Sequence, residues 1–218
     1  ACAPFRRLHV CDKNMEKMEK MEKTSKTSTD TLLAEVCMAA KYEGNSINSH
    51  YTPYQQIYGD SPYQLCTVLA RSFADIGDIV RGKDLYLGNP QESAQRDQLD
   101  DKLKTIFGDI YNELTSTNGR SESSASALQK RYKKDDDPDF LKLREDWWYA
   151  NRAAIWEAIT CEVKSGSQYF RPTCNRGERT KGDCRCDDKP KAGNGDVNIV
   201  PTYFDYVPQY LRWFEEWA

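Results

Sequence analysis

The most informative hydrophobic pattern of the chain lies between positions 143 and 161. Apolar residues there form two neighbouring helical stripes, one of Trp148, Ile155 and Ile159 and the other of Leu143, Trp147, Ala150, Ala154, Ala158 and Cys161. A helix with so wide an apolar arc must be covered on most sides. Three Trp side chains within ten residues each bury a large area. The pattern predicts a helix that begins after Asp137-Pro138 and lies at the centre of a bundle.

Four other segments carry apolar residues at helical spacing, and none shows a convincing strand pattern. They are 31–42, ended by Gly44; the segment after Pro62, with Leu65, Leu69, Phe73, Ile76 and Val80; the segment opened by Asn89-Pro90-Gln91-Glu92, with Leu99, Leu103, Ile106, Ile110 and Leu114; and the segment from Pro208, where Tyr210, Phe214 and Trp217 share a face. Asn before Pro, with Glu three residues later, is typical of a capped helix start. The predicted fold class is all-α.

Polar or repetitive stretches separate these helices. Residues 44–60, 115–127 and 164–200 have the composition of loops. The triplet Met-Glu-Lys occurs three times over 15–23, and its period of three specifies no sharp helical face. We expect a mobile helix or a low-complexity loop there. Residues 1–14 are predicted to be a partly irregular segment held by disulfides.

Composition and net charge limit the kinds of partner that the chain can be expected to bind. The chain has 218 residues, of which 39% are apolar and 30% charged, and its net charge is -3. This balance gives no overall attraction to nucleic acid or to an anionic membrane. No run of 18 apolar residues occurs, so no direct membrane insertion is predicted. The first residues lack a signal-peptide pattern, and we expect the chain to be a piece of a longer protein.

Eight cysteines against two histidines favour disulfides over metal or thiol chemistry. The candidates are Cys2, Cys11, Cys37, Cys66, Cys161, Cys174, Cys184 and Cys186. Disulfides imply an oxidising, extracellular setting, and buried free thiols in a cytosolic protein are the alternative. Eight cysteines allow 105 internal pairings, so composition leaves the connectivity open.

Catalytic and cofactor motifs are absent from the sequence. A nucleophile needs a base, and neither His9 nor His50 sits in a recognisable motif. Cys174, Cys184 and Cys186 lack the spacing and the fourth ligand of a structural zinc site. No phosphate-binding glycine motif occurs. We therefore expect a protein that is not an enzyme and that holds no cofactor and no metal.

Two clusters of basic residues are candidates for binding an anionic ligand. The first, here called the basic loop (171–191), contains Arg171, Arg176, Arg179, Lys181, Arg185, Lys189 and Lys191. Four acidic residues oppose these seven, which leaves a local charge of +3, and such clusters can bind sulfated glycans. The second contains Lys130, Arg131, Lys133 and Lys134, followed by three acidic residues. An ordinary solvated surface is the alternative for both clusters.

Segments spread over nearly the whole chain carry a family resemblance. They are 2–11, 32–37, 70–84, 201–217 and the group Trp147-Trp148, Asn151-Arg152 and Trp156. The chain resembles the Duffy-binding-like alpha domain of the variant erythrocyte membrane proteins of Plasmodium falciparum. The resemblance implies a disulfide-rich helical bundle, present here as a fragment. Its three subdomains would cover 1–50, 51–165 and 166–218, the last being incomplete.

The resemblance also implies a disulfide between Cys66 and Cys161, and a role in adhesion at the surface of the infected erythrocyte. The expected partners are a host cell-surface receptor or sulfated glycan, antibodies, and neighbouring domains of the same chain. The activity would be cytoadherence or rosetting by a variant surface antigen, with ligand choice in 15–30, 115–137 and 171–196. The alternative is a structural and antigenic spacer that positions a neighbouring receptor-binding domain.

Overall fold

Helices joined by irregular segments make up the residues that the structure, a computed structural model, describes: 2–17, 27–58, 64–116, 122–133, 135–163, 166–174, 177–186 and 199–218. The elements are α1 (Phe5–Leu8), α2 (Lys13–Glu16), α3 (Ser28–Tyr58), α4 (Gln64–Arg81), α5 (Pro90–Thr115), α6 (Glu122–Arg131), α7 (Leu141–Ile159), a 3-10 turn (Phe204–Tyr206) and α8 (Gln209–Trp217). Within these ranges the β-structure is limited to two isolated bridges. The predicted all-α fold class is confirmed.

The tryptophan-rich helix α7 lies in the core against α3 and α4, as predicted. Trp148 and Trp156 are fully buried, and both rings contact Phe73 of α4, with ring centroids 5.0 and 5.2 Å apart. The second predicted stripe is wrong in part, because Ala150, Ala154 and Cys161 are exposed. The buried face is instead completed by two arginines, Arg144 and Arg152. Arg152 pairs with the buried Asp205 and Arg144 with the partly exposed Asp100 of α5, each at 2.8 Å.

Helix α3 does not end at Gly44 but continues to Tyr58, so the loop predicted for 44–60 is wrong through residue 58. A Cβ at Gly44 would lie only 1.9 Å from the carbonyl oxygen of Ile159. The glycine therefore permits a close approach of α3 to α7 rather than ending a helix. Asn48, one turn later, donates to the carbonyl of Glu162 at 3.1 Å. Helix α3 also runs past position 50, and the subdomain boundary proposed there stays a prediction.

The start of α5 confirms the predicted cap. The side chain of Asn89 accepts from the backbone N–H groups of Gln91 and Glu92, both at 3.0 Å. Glu92 in turn accepts from the backbone N–H of Asn89 at 2.8 Å, which completes a capping box. The loop predicted for 115–127 is wrong for its last part, because α6 begins at Glu122.

The N-terminal segment is more regular than predicted. It contains the two short helices α1 and α2, and its cysteines Cys2 and Cys11 are not disulfide-bonded. Met15, the first residue of the triplet repeat, is buried in the core. The remaining methionines of the repeat lie outside the described residues. No helix in the described ranges combines the length and apolarity needed to cross a bilayer.

Two disulfides join the segment after α7 to itself and to the core. Cys66 of α4 bonds to Cys184, and Cys174 bonds to Cys186. The predicted Cys66–Cys161 bond is wrong. Trp156 of α7 donates its indole N–H to the carbonyl of Cys184 at 3.1 Å, which brings Cys184 into the core beside α4, whereas Cys161 is exposed beyond the end of α7. Four of the eight candidates are thus disulfides, and the others are thiols: Cys2, Cys11, Cys37 and Cys161.

This pairing predicts a large loss of stability for one cysteine variant and almost none for another. Replacing both Cys66 and Cys184 with Ala removes a cross-link with a sequence separation of 118 residues. We expect the free energy of unfolding to fall by about 4 to 5 kcal/mol. Cys161→Ala is the control, and we expect a change of at most about 0.5 kcal/mol. Denaturant titration and a non-reducing peptide map measure both. A Cys66–Cys161 peptide, with strong destabilisation by Cys161→Ala, would contradict the structure.

Candidate functional site

Helix α4 carries polar and charged side chains on a fully buried face. Ser72, Asp75, Asp78 and Arg81 follow one another at a spacing of three residues, which places them on neighbouring turns. All four are buried among the apolar residues of the core. Buried charges require partners, so this face must be met by charged groups from other segments.

Asp75 is the point where the two ends of the described chain meet. Its carboxylate accepts from Arg6, near the N-terminus, and from Arg212 of α8, each at 2.7 Å. Arg6 also pairs with Glu216 of α8 at 2.9 Å, and Arg212 contacts Asp78. The N-terminal segment, α4 and α8 are therefore joined through one group of buried ions.

The electrostatics of the two α4 carboxylates differ. Burial alone would raise the pKa of Asp75, but Arg6 and Arg212 outweigh it, and the net shift is downward. Burial also raises the pKa of Asp78, and there it prevails over the opposing effects of Arg212 and Arg81. Of these two carboxylates, Asp75 is therefore the one whose charged form the fold stabilises.

A second group of buried ions surrounds Asp205 in the 3-10 turn. Its carboxylate accepts from the indole N–H of Trp148 at 2.9 Å and from two nitrogens of Arg152 at 2.8 Å. Arg152 also donates to the carbonyl of Thr202 at 2.7 Å, and Arg81 donates to the backbone carbonyl of Asp205. These bonds hold residues 202–206 against α7 and α4.

The described part of the basic loop comprises residues 171–174 and 177–186. Arg171, Arg179 and Lys181 are exposed, whereas Arg185 is half-buried. Arg185 donates to the hydroxyl of Thr160 at 2.7 Å and to the carbonyl of Glu157 at 2.8 Å. It therefore anchors the loop to the end of α7. The candidates Arg176, Lys189 and Lys191 lie outside the described residues.

The second basic cluster lies near the opposite end of α7. Arg131 pairs with Asp146 at 2.6 Å and Lys133 with Asp136 at 3.4 Å, while Lys130 is exposed on α6 and Lys134 lies outside the described residues. Asp146 and Glu157 are eleven residues apart on α7, which is about 16 Å along the helix. The structure thus does not bring the two clusters together into one site.

A groove that the sequence did not indicate lies between α1, α3 and α4. Its volume is about 990 Å³. The lining is mainly apolar, and both histidines of the chain face it; the residues are Phe5, Arg6, His9, Glu43, Ser46, Ile47, His50, Tyr51, Gln64, Thr67 and Val68. In the described part of the chain no cluster of His, Cys, Asp or Glu side chains is suited to a metal ion.

Comparison with known proteins identifies the family. The sequence model of the Duffy binding domain matches residues 1–212. The chain belongs to the Duffy binding domain family. No curated protein matches the chain. The family consists of adhesin domains that are not enzymes, so the expectation of a non-enzymatic protein is confirmed by family membership.

Solved structures of Duffy-binding-like domains support this assignment. The chain is 40% identical to the NTS-DBL1(alpha-1) domain of Plasmodium falciparum membrane protein 1 (PfEMP1) from the varO strain, over 100% of this chain and 43% of that one, with a TM-score of 0.72. It is also 40% identical to an NTS-DBL1-alpha and CIDR-gamma double domain of PfEMP1 from that strain, covering 100% of this chain and 27% of that one, with a TM-score of 0.73.

A more distant relative is a PfEMP1 DBLβ domain bound to human ICAM-1, at 26% identity over 97% of this chain and 38% of that one, with a TM-score of 0.62. The chain therefore spans less than half the length of these relatives.

The buried ions predict how stability of this Duffy binding domain depends on pH. Because the folded-state pKa of Asp75 is lowered, its stabilising contribution is present above the ordinary Asp pKa of about 3.9 and is lost as pH falls through the folded value. We expect Asp75→Asn to lower the free energy of unfolding by about 3 to 5 kcal/mol at pH 7. The difference from the unsubstituted chain should shrink below about pH 4.

The exposed Asp97 of α5 provides the matched control. Asp97→Asn should change the free energy of unfolding by at most about 0.5 kcal/mol at either pH. Denaturant titrations at several pH values measure both variants. Equal effects of the two substitutions at pH 7 would show that Asp75 contributes no special stability.

Proposed function

We propose that the chain is part of an adhesin domain that binds a host cell-surface receptor. The observation that carries the proposal is the match of the Duffy binding domain family over residues 1–212. The structure of a DBLβ relative bound to human ICAM-1 adds support, since its alignment covers 97% of this chain. The proposal does not name ICAM-1 as the receptor of this chain, because this chain and the DBLβ domain are only 26% identical.

Within this proposal, the basic loop is the ligand-contacting segment for a sulfated glycan. The Cys174–Cys186 and Cys66–Cys184 disulfides hold the loop at the surface, where Arg171, Arg179 and Lys181 are exposed. A loop whose ends are held loses less conformational entropy when it binds. Several guanidinium and ammonium groups on such a loop match a line of sulfates. Arg185 takes a positioning role instead, because it is bonded to α7.

The second basic cluster is partly neutralised by its acidic neighbours. Arg131 and Lys133 are already paired with carboxylates, and an incoming sulfate would have to displace Asp146 or Asp136. We retain Lys130 and Lys134 only as outer contacts of a larger ligand.

The proposed setting is the surface of an infected erythrocyte, where the chain would act in cytoadherence or rosetting and would be exposed to antibodies. PfEMP1 relatives at 40% identity support this setting. One of them continues into a CIDR-gamma domain, which supports a neighbouring domain in the same chain as an intramolecular partner. We propose subdomains over 1–50, 51–165 and 166–218 on the same family basis.

A structural and antigenic spacer is the competing function. It would position a neighbouring receptor-binding domain and bind no ligand itself. The double-domain relative is the observation that favours it. Saturable binding of this chain to erythrocytes or endothelial cells separates the two, because only the adhesin should bind.

The adhesin proposal predicts a charge-dependent interaction with heparin. Changing Arg171, Arg179 and Lys181 together to Gln should weaken heparin binding at least tenfold at low salt, and should flatten its salt dependence. A triple variant of exposed lysines outside both basic clusters, Lys13→Gln, Lys41→Gln and Lys142→Gln, is the control and should bind like the unsubstituted chain. Surface plasmon resonance over a range of salt concentrations measures both.

Equal heparin retention by both triple variants would exclude the basic loop as the site. Absence of saturable binding to any surface of a receptor and glycan array, by the oxidised chain, would favour the spacer.

A further inference from the structure

The groove between α1, α3 and α4 has a buried carboxylate in its wall. Glu43 is only 3% exposed. One of its oxygens accepts from the hydroxyl of Ser72 at 2.7 Å and the other from the backbone N–H of Cys11 at 3.0 Å. The thiol of Cys11 also hydrogen-bonds to this carboxylate, and the four lone-pair sites of its two oxygens leave one for a further donor. The carboxylate is thus held in a fixed position with acceptor capacity left over.

No basic side chain of the described residues forms an ion pair with Glu43, although the buried carboxylates of Asp75 and Asp205 have arginine partners. Burying a carboxylate without a countercharge is costly. Arg6, which also lines the groove, reaches Glu43 only through the hydroxyl of Ser72, to which it donates at 3.1 Å, and it bonds directly to Asp75 and to both oxygens of Glu216. A positive group from outside would therefore complete the charge balance at Glu43.

The rest of the groove is suited to apolar side chains. Ile47 lies one helical turn after Glu43 on α3, and Val68 of α4 and the ring of Phe5 line the same groove. Phe5 is 73% exposed, so a large apolar surface remains open to an incoming molecule. The α3 residues that line the groove run from 43 to 51, which corresponds to about 12 Å of helix. That length accommodates about four residues of an extended peptide.

We propose that this groove binds a peptide segment of a partner protein, in which a Lys or Arg side chain flanked by apolar residues pairs with Glu43. The charge of Glu43 selects the cation, and Ile47, Val68 and Phe5 contact the apolar neighbours. A peptide fits better than a free amine, because a small amine would leave most of the 990 Å³ unfilled. The site is separate from the basic loop, so loss of heparin binding leaves this proposal intact.

The probe is a set of capped octapeptides that contain leucine and phenylalanine and differ at one central position, which is Lys, norleucine or Glu. Fluorescence polarisation with the full oxidised chain measures binding. We expect the Lys peptide to bind at least tenfold more tightly than the norleucine peptide, and the Glu peptide more weakly still. In Glu43→Gln, the amide oxygen can still accept from the backbone N–H of Cys11 and the amide N–H can donate to the hydroxyl of Ser72, but the charge is gone, so the preference for Lys should disappear.

A second variant keeps the test decisive if Glu43→Gln does not fold. Ile47→Lys places a cation one turn from Glu43 and obstructs the groove, so it should weaken the Lys peptide at least tenfold. Met38→Lys, at an exposed position of α3 outside the groove, is the matched control and should leave affinity unchanged. Near-ultraviolet circular dichroism confirms folding of each variant.

Several results would overturn the proposal. They are the absence of binding by every peptide, a Lys preference that persists in Glu43→Gln, and equal affinities of the Ile47→Lys and Met38→Lys variants. Competition by free phenethylamine at the same concentration as the peptide would show that the groove takes small amines, and would overturn the choice of a peptide occupant.

Discussion

The requirement that buried charges be neutralised by partners governs how this chain is assembled. Asp75 and Asp78 of α4 and Asp205 of the 3-10 turn are buried among apolar side chains, where an unpaired carboxylate is strongly unfavourable. Their partners are arginines from distant segments, Arg6 and Arg212 among them. A buried ion pair is a weak source of net stability, but removal of one partner is costly. The pairs therefore specify which segments meet more than they add stability.

This arrangement separates the part of the chain that determines the fold from the part that is available to ligands. The ion pairs and the core around Trp148 and Trp156 join α1, α3, α4, α7 and α8, and the segments that carry the family resemblance lie in or beside these helices. The basic loop extends from this core and is held to it by Cys66–Cys184 and by Arg185. Changes in its exposed residues leave the buried partners unaffected. That separation suits an adhesin domain, because the surface that meets a ligand can change while the core is kept.

Helical periodicity was sufficient to predict α4, α5, α7, α8 and the first part of α3, but neither the remaining helices nor the close contacts between them. The apolar faces of α4 and α5 and the Asn89 cap were predicted correctly, because each depends only on residues that are close together in the sequence. Gly44 was misread as a helix end, since only the position of Ile159 across the interface reveals its role. The Cys66 partner was likewise wrong, because it depends on where the segment after α7 folds back.

The candidate sites were predicted less well than the fold. The sequence predicted Arg185 as a surface cation that contacts the ligand. Its hydrogen bonds to the end of α7 could not be predicted, because they join residues that are far apart in the sequence. The buried face of α4 did leave a signal, since Asp75, Asp78 and Arg81 interrupt an apolar stripe at a spacing of three. The groove had no such signal, because its lining comes from three helices that are separated in the sequence.

A double-mutant cycle between Arg152 and Asp205 tests the central role of the buried ions most directly. Arg152→Met, Asp205→Asn and the double variant are compared by denaturant unfolding of the oxidised chain. If the buried pair joins α7 to the C-terminal segment, the coupling energy should be about 2 to 3 kcal/mol, as for residues in one network. A coupling energy below about 0.5 kcal/mol would contradict the account.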